Sequence, residues 1–165
     1  MSPAFGGFYQ TAYVTNDLEQ ALDQFKRVYG VPEFFVLPSD MPTTYRGGPG
    51  RLHIRLALAN LRGVQIEVIE AQEGCIDLYR EGLADGGFSL AHHHLAMRVP
   101  GALADWKAWR AEAAASDRGF VLEGDLGDTA QFAYLDDKRR LGHYTEYFWS
   151  ADGGAGLDAV IPRFD

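Results

Sequence analysis

The stretch Gln10-Thr11-Ala12-Tyr13-Val14-Thr15-Asn16-Asp17 has a counterpart later in the chain, His94-Leu95-Ala96-Met97-Arg98-Val99-Pro100-Gly101. Each alternates apolar and polar residues in the manner of a strand, and each is followed by helical three-to-four spacing. After the first come Leu18, Ala21, Leu22, Phe25, Val28 and Tyr29; after the second, Leu103, Trp106, Trp109 and Ala113. Asn16 or Asp17 is placed to cap the first helix, Gly30 supplies a left-handed stop, and Gly119 sits just past the second. Three β-rich runs then follow each helix. In the first half they are Glu33–Leu37, Leu52–Ala59 and Val64–Glu70, with a hairpin turn over Asn60 to Gly63. In the second they are Phe120–Glu123, Ala130–Leu135 and His143–Trp149. Both halves read β-α-β-β-β, so the sequence predicts an α+β fold built from a repeated module.

This grammar divides the chain into a first module over 8–70, a linker over 71–91, a second module over 92–150 and a C-terminal extension over 151–165. Ser39 to Gly50, rich in Pro, Gly and Thr, reads as a loop, and Ile76 to Glu81 in the linker as a short helix. Both segments are candidate lids. In the extension, Val160, Ile161 and Phe164 are candidates to cover a partner or an edge strand.

With 165 residues, 47% hydrophobic and 23% charged, the chain has an ordinary globular composition. Its 23 acidic against 15 basic residues, net −8, argue against a nucleic-acid partner, whose binders usually carry a basic patch. No run approaches the ~20 apolar residues of a membrane span, and Met1–Gln10 lacks the regions of a signal peptide. The lone Cys75 excludes an intrachain disulfide and a thiolate cluster, which makes a reducing cytoplasm the simplest expectation.

Strand parity then sorts the polar residues by face. Leu95, Met97 and Val99 share one face and His92, His94, Ala96 and Arg98 the other; Val64, Ile66 and Val68 oppose Gln65, Glu67 and Ile69. Tyr144, Glu146 and Phe148 share a face, as do Phe8, Gln10, Ala12 and Val14. Gln10, Glu67, His94 and Glu146 thus stand on the face away from the helices, two on opening strands and two on closing strands. A duplicated module brings them to one concave surface. Their donor set suits a divalent ion, Zn, Ni, Co, Mn or Fe, with water in the remaining positions. A buried Glu needs a partner or a metal to offset several kcal/mol of desolvation.

These runs resemble the vicinal oxygen chelate superfamily, which includes glyoxalase I, methylmalonyl-CoA epimerase, extradiol dioxygenases and bleomycin-resistance proteins. Gln10 to Leu18 followed by Ala21, Phe25 and Gly30 looks like its first module. Gly63 to Glu70 is similar to the strand that carries the second ligand, here Glu67. Asp77 to Gly87 followed by His92-His93-His94 resembles the epimerase branch, and Gly142 to Tyr147 the closing strand that delivers Glu146. The resemblance implies two paired βαβββ modules whose mixed sheet curls around a metal cup, with Gln10, Glu67, His94 and Glu146 as ligands. The third strand of the first module offers Arg51, His53 and Arg55 but no carboxylate.

The chemistry expected is that of a metal-dependent isomerase or lyase. A proton is abstracted next to a carbonyl, the enediolate is stabilised by the ion, and Glu146 or Glu67 acts as shuttle. The alternatives are an extradiol-type dioxygenase and a ligand-sequestering protein of the same fold. Phe8, Tyr144 and Phe148 are candidates to line a substrate pocket, with His92 at its rim and Arg98 or Arg140 to hold a substrate anion; His93 should point outward. The expected partner is a small carbonyl compound, such as an acyl-CoA or thiol adduct, and the expected assembly a homodimer.

Overall fold

A computed structural model describes residues 7–165; the beginning of the stretch read for a leader lies outside the described residues. The first module comprises β1 (Phe8–Thr15), α1 (Leu18–Tyr29), β2 (Phe35–Tyr45), β3 (Gly48–Leu61) and β4 (Val64–Gly74). A short α2 (Asp77–Arg80) leads to β5 (Leu90–Arg98), α3 (Leu103–Ala114), β6 (Phe120–Asp125) and β7 (Ala130–Leu135). Then follow α4 (Lys138–Leu141), β8 (Tyr144–Ser150), α5 (Ala155–Asp158) and β9 (Arg163–Phe164). The α+β fold expected from the sequence is present.

The sheet runs β2-β6-β7-β8-β5-β1-β4-β3, and β2 also pairs with β3, so the eight long strands close on themselves. Within each module the first and last strands are parallel, β1 with β4 and β5 with β8. The modules meet where β1 and β5 run antiparallel. Closure leaves an interior and an exterior, and the alternating side chains fill both. Inside, Val14, Leu52, Ile54, Ile69, Leu122, Tyr134 and Tyr144 pack with Leu78 and Tyr79 of α2. Outside, α1 covers Ile66 and Val68, while α3 covers Met97, Leu135, Tyr147 and Trp149.

Local chemistry accounts for the helix ends. Asp17 caps α1 by accepting from the Gln20 amide at 3.0 Å, and Gly30 closes it at φ 70°. The buried stripe of α1 is Leu18, Ala21 and Phe25, whereas Val28 and Tyr29 of the expected stripe are more than half exposed.

The segment Ser39 to Gly50 is a hairpin, not a loop: β2 and β3 pair continuously from Phe35↔Leu58 to Tyr45↔Gly48. Pro38 and Pro42 are tolerated because that part of β2 has a strand on one side only. The turn is Arg46-Gly47, both at positive φ (48° and 81°), and Arg62-Gly63 (52° and 85°) repeats it between β3 and β4. Two-residue hairpin loops with both φ positive match the twist of the strands they join. The linker is not a free lid either, since Leu78 and Tyr79 are buried in the barrel interior. In the extension, Ile161 is buried and β9 continues the sheet at the end of β3, while Val160 stays exposed.

Candidate metal centre

Four strands and two lateral rows build the centre. In one row Gln65, Gln10, Ala96 and Glu146 are neighbours across β4, β1, β5 and β8. In the next, Glu67, Ala12, His94 and Tyr144 follow the same order. Each module thus repeats one device: a polar residue (Gln10 or His94), a small residue two positions on (Ala12 or Ala96), and a Glu opposite that small residue on the parallel neighbour. Ala12 and Ala96 are fully buried, and their size leaves room above the sheet for the longer side chains beside them.

One ligand atom each from Glu67, His94 and Glu146 lies within 4.8 Å of the others. His94 Nε2 is 3.0 Å from Glu146 Oε2 and 3.4 Å from Glu67 Oε2. Yet neither His94 Nε2 nor Glu67 Oε2 has an aligned hydrogen-bond partner, although both are buried. Gln10 donates from Nε2 to Gln65 Oε1 at 2.6 Å, which leaves its own Oε1 buried and without a partner. Buried polar atoms are normally satisfied, so several orphaned acceptors on one cavity floor are a built feature.

His93 decides which way the His94 lone pair faces. Its Nε2 lies 3.0 Å from the Leu78 carbonyl, which can only accept, so His93 carries its proton there and accepts at Nδ1. His94 Nδ1 sits 2.9 Å from that atom and therefore donates to it. Nε2 therefore aims between the two carboxylates and is the nitrogen that gives up its proton when the ring is neutral. Burial alone would lower the pKa of His94, but Glu146 and Glu67 reverse this and lift it to about 9. Burial likewise raises the Glu146 carboxyl, with His94 opposing and Glu67 reinforcing. Burial pushes His93 well down, so it stays a neutral relay.

The remaining sequence expectations divide according to two β-bulges. On β5, Ala12 pairs with His94 and Tyr13 with His92, so His93 is an extra residue that turns inward beside His94. His92, expected at the rim, is therefore on the exterior and exposed, edge-on to Tyr13 and His143. His93, expected outside, is buried against Tyr79 at 5.0 Å. On β1 the pairing steps from Phe8↔Met97 to Gln10↔Ala96, so Tyr9 is extra. Tyr9 lines the cavity in place of Phe8, which is 39% exposed.

Phe148 lines the cavity. Tyr144 is buried on the inner face but does not line it; its hydroxyl donates to Glu81 Oε2 at 2.8 Å. Arg98 is fastened to the extension, bonding Asp158 Oδ1 at 2.7 Å and the Gly153 carbonyl at 2.8 Å. Arg140 pairs with Asp117 beside a separate surface depression. Neither arginine reaches the centre. The sequence signal missed was the run of three histidines, whose middle member breaks the parity count.

Above the centre lies a cavity of about 230 Å³. Gln10, Gln65, Glu67 and Glu146 give it a polar floor, and Leu52, Ile54, Leu56 and Leu58 of β3 make one aliphatic wall. Its mouth is flanked by Leu126 of the β6–β7 turn and Leu157 of α5, which are 53% and 37% exposed.

No protein-family model and no curated protein matches the chain. Solved structures do. A Streptomyces coelicolor methylmalonyl-CoA epimerase bound to 2-nitronate-propionyl-CoA aligns with TM-score 0.54 at 17% identity, over 88% of this chain and 94% of that one. The chain has the fold of the methylmalonyl-CoA epimerases. The epimerase of Mycobacterium tuberculosis (TM-score 0.52, 18% identity, 91% of each chain) agrees. So does a hypothetical protein of Bacillus halodurans (0.52, 14%, 87% of this chain and 93% of that one). This is the fold that the resemblance read from the sequence implies. Among the described residues no helix is long and apolar enough to cross a membrane.

Proposed function

We propose that the chain is a metal-dependent isomerase or lyase that moves a proton on a carbon next to a carbonyl. The observation that carries this reading is His94 Nε2 held between the carboxylates of Glu67 and Glu146, which form part of the floor of an apolar cavity. A divalent cation fits the donor set: His94 Nε2, one oxygen each of Glu67 and Glu146, and the orphaned Gln10 Oε1. When bound, such an ion polarises a substrate carbonyl and stabilises the negative charge that develops as the neighbouring proton leaves.

The chain's own residues supply the rest. Glu146 faces the cavity, and burial together with Glu67 raises its affinity for a proton, which suits a carboxylate that must take one up and return it. His93 and Leu78 hold the His94 ring in the ligating tautomer. The aliphatic wall of β3 keeps water from the reacting carbon. The epimerases that share the fold are isomerases, and the Streptomyces coelicolor enzyme holds an acyl-CoA compound, 2-nitronate-propionyl-CoA, which supports this reaction class.

The test combines metal and proton. The protein, stripped with chelator and reloaded with Zn, Ni, Co, Mn or Fe, is expected to bind one divalent ion per chain. It should then exchange the carbon-bound proton of a carbonyl compound into D₂O, followed by NMR. Glu146→Gln should weaken metal binding and lower exchange by about 10²–10⁴-fold, the usual contribution of a positioned acid or base. Absence of metal uptake, or exchange unchanged in Glu146→Gln, would sink the proposal; oxygen consumption on catechols would favour a dioxygenase.

A further inference from the structure

The walls of the cavity say what kind of molecule that proton comes from. This step takes the cavity to be the substrate pocket proposed above. None of the described residues lining it is a lysine or arginine. The polar residues that line it are Glu67, Glu146, Gln10, Gln65, Ser39 and the tyrosines Tyr9, Tyr79 and Tyr134. Burial, reinforced by the two carboxylates, raises the pKa of all three tyrosines, so they stay neutral.

Arg98 stands against the Tyr9 ring, and its charge is paired away from the cavity. Its guanidinium lies 4.4 Å from the Tyr9 ring centroid and is neutralised by Asp158. Tyr9 is what lines the cavity. The strand β3, where a second acid or base could face the substrate, presents Leu52, Ile54, Leu56 and Leu58 instead. Leu37, Ile69, Phe132 and Phe148 complete the apolar lining. A carboxylate on the substrate would lose its water here beside two buried carboxylates and find no cationic side chain to pair with, a loss that ordinarily amounts to several kcal/mol.

Size narrows the class further. An aliphatic cavity of about 150 Å³ takes up benzene, so about 230 Å³ holds one ring or branched chain with a short oxygen-bearing arm. We infer that the substrate presents a neutral aryl or branched-alkyl group to this cavity, joined to the carbonyl that sits at the polar floor, and that carboxylate-bearing acyl groups are excluded.

Two probes with the same hydroxyketone arm separate the cases: 2-hydroxyacetophenone, and 5-hydroxy-4-oxopentanoate, whose short chain ends in a carboxylate. Titrated into the metal-loaded protein by calorimetry, the aryl compound is expected to bind at least 100-fold more tightly. Leu126→Arg, at the exposed mouth, should shrink that gap by tenfold or more by giving the carboxylate a partner. Equal binding, or preference for the carboxylate, overturns the inference while leaving the metal-dependent reading intact. Acetophenone and 4-oxopentanoate, which lack the chelating hydroxyl, are titrated in parallel into the metal-free protein by NMR. The same order is expected there, so a protein that takes up no metal would refute the proposed function and still test this inference.

Discussion

Replacing His93 by Phe isolates the part played by a residue that reaches neither cavity nor ion. The phenyl ring keeps the volume and the stacking on Tyr79 at 5.0 Å but removes both nitrogens. His94 then loses the acceptor 2.9 Å from its Nδ1, and the Leu78 carbonyl loses its donor at 3.0 Å. With His94 fully buried, no water replaces the acceptor. A buried donor left unsatisfied costs about 1–3 kcal/mol. The neutral ring escapes that cost by shifting its proton to Nε2, the position a metal must occupy. Binding an ion then requires paying the cost back, which corresponds to about 5–150-fold in affinity. That range brackets the 10–100-fold usually lost with an outer partner of a ligating histidine. Competition with a chromophoric chelator measures the affinity, circular dichroism checks the fold, and ¹⁵N chemical shifts of the His94 ring report the tautomer. A folded His93→Phe protein that binds metal within threefold of the parent, with the Nδ1–H tautomer retained, would refute the relay.

Other perturbations have equally definite outcomes. Because His94 in the metal-free protein is lifted to about 9, its proton favours the fold fully below its ordinary pKa near 6.5, and that contribution is lost as pH rises through 9. Thermal melts of the stripped protein should therefore fall across that window, and metal binding should release a proton at neutral pH, seen as a buffer-dependent heat. Asp137→Ala should lose about 3 kcal/mol in urea unfolding. It strands Arg118 and removes the acceptor 2.6 Å from the Thr145 hydroxyl in a site where Asp137 is 2% exposed. Arg62→Asn should gain about 0.5–1 kcal/mol in the same assay, since residue 62 sits at φ 52° in a turn that prefers Asn-Gly.

Much of the fold was legible because it is encoded twice. The alternation at Gln10–Thr15 and His94–Val99, each followed by a helix stripe, gave the repeat, and strand parity put Gln10, Glu67, His94 and Glu146 on one face. Hairpin β2–β3 was missed because Pro and Gly were weighed as loop formers. The Arg-Gly pair at 46–47, identical to the one at 62–63 that was read as part of a turn, carried the true signal.

Sequence periodicity by itself determined where most of the strands lie, how they repeat and which face carries the acidic and amide groups, since these follow from local backbone geometry. Tertiary structure alone decided that Tyr9 and not Phe8 lines the cavity, that His93 and not His92 supports His94, and that Arg98 serves the C-terminal extension. For the first two the physical reason is the pairing of β1 with β5, where each strand carries one residue more than its partner can match, and for Arg98 it is the distant chain segment that brings Asp158 and Gly153 to it. A bulge inverts parity from that point on, and it is set by the neighbouring strand, which no count along a single strand can see.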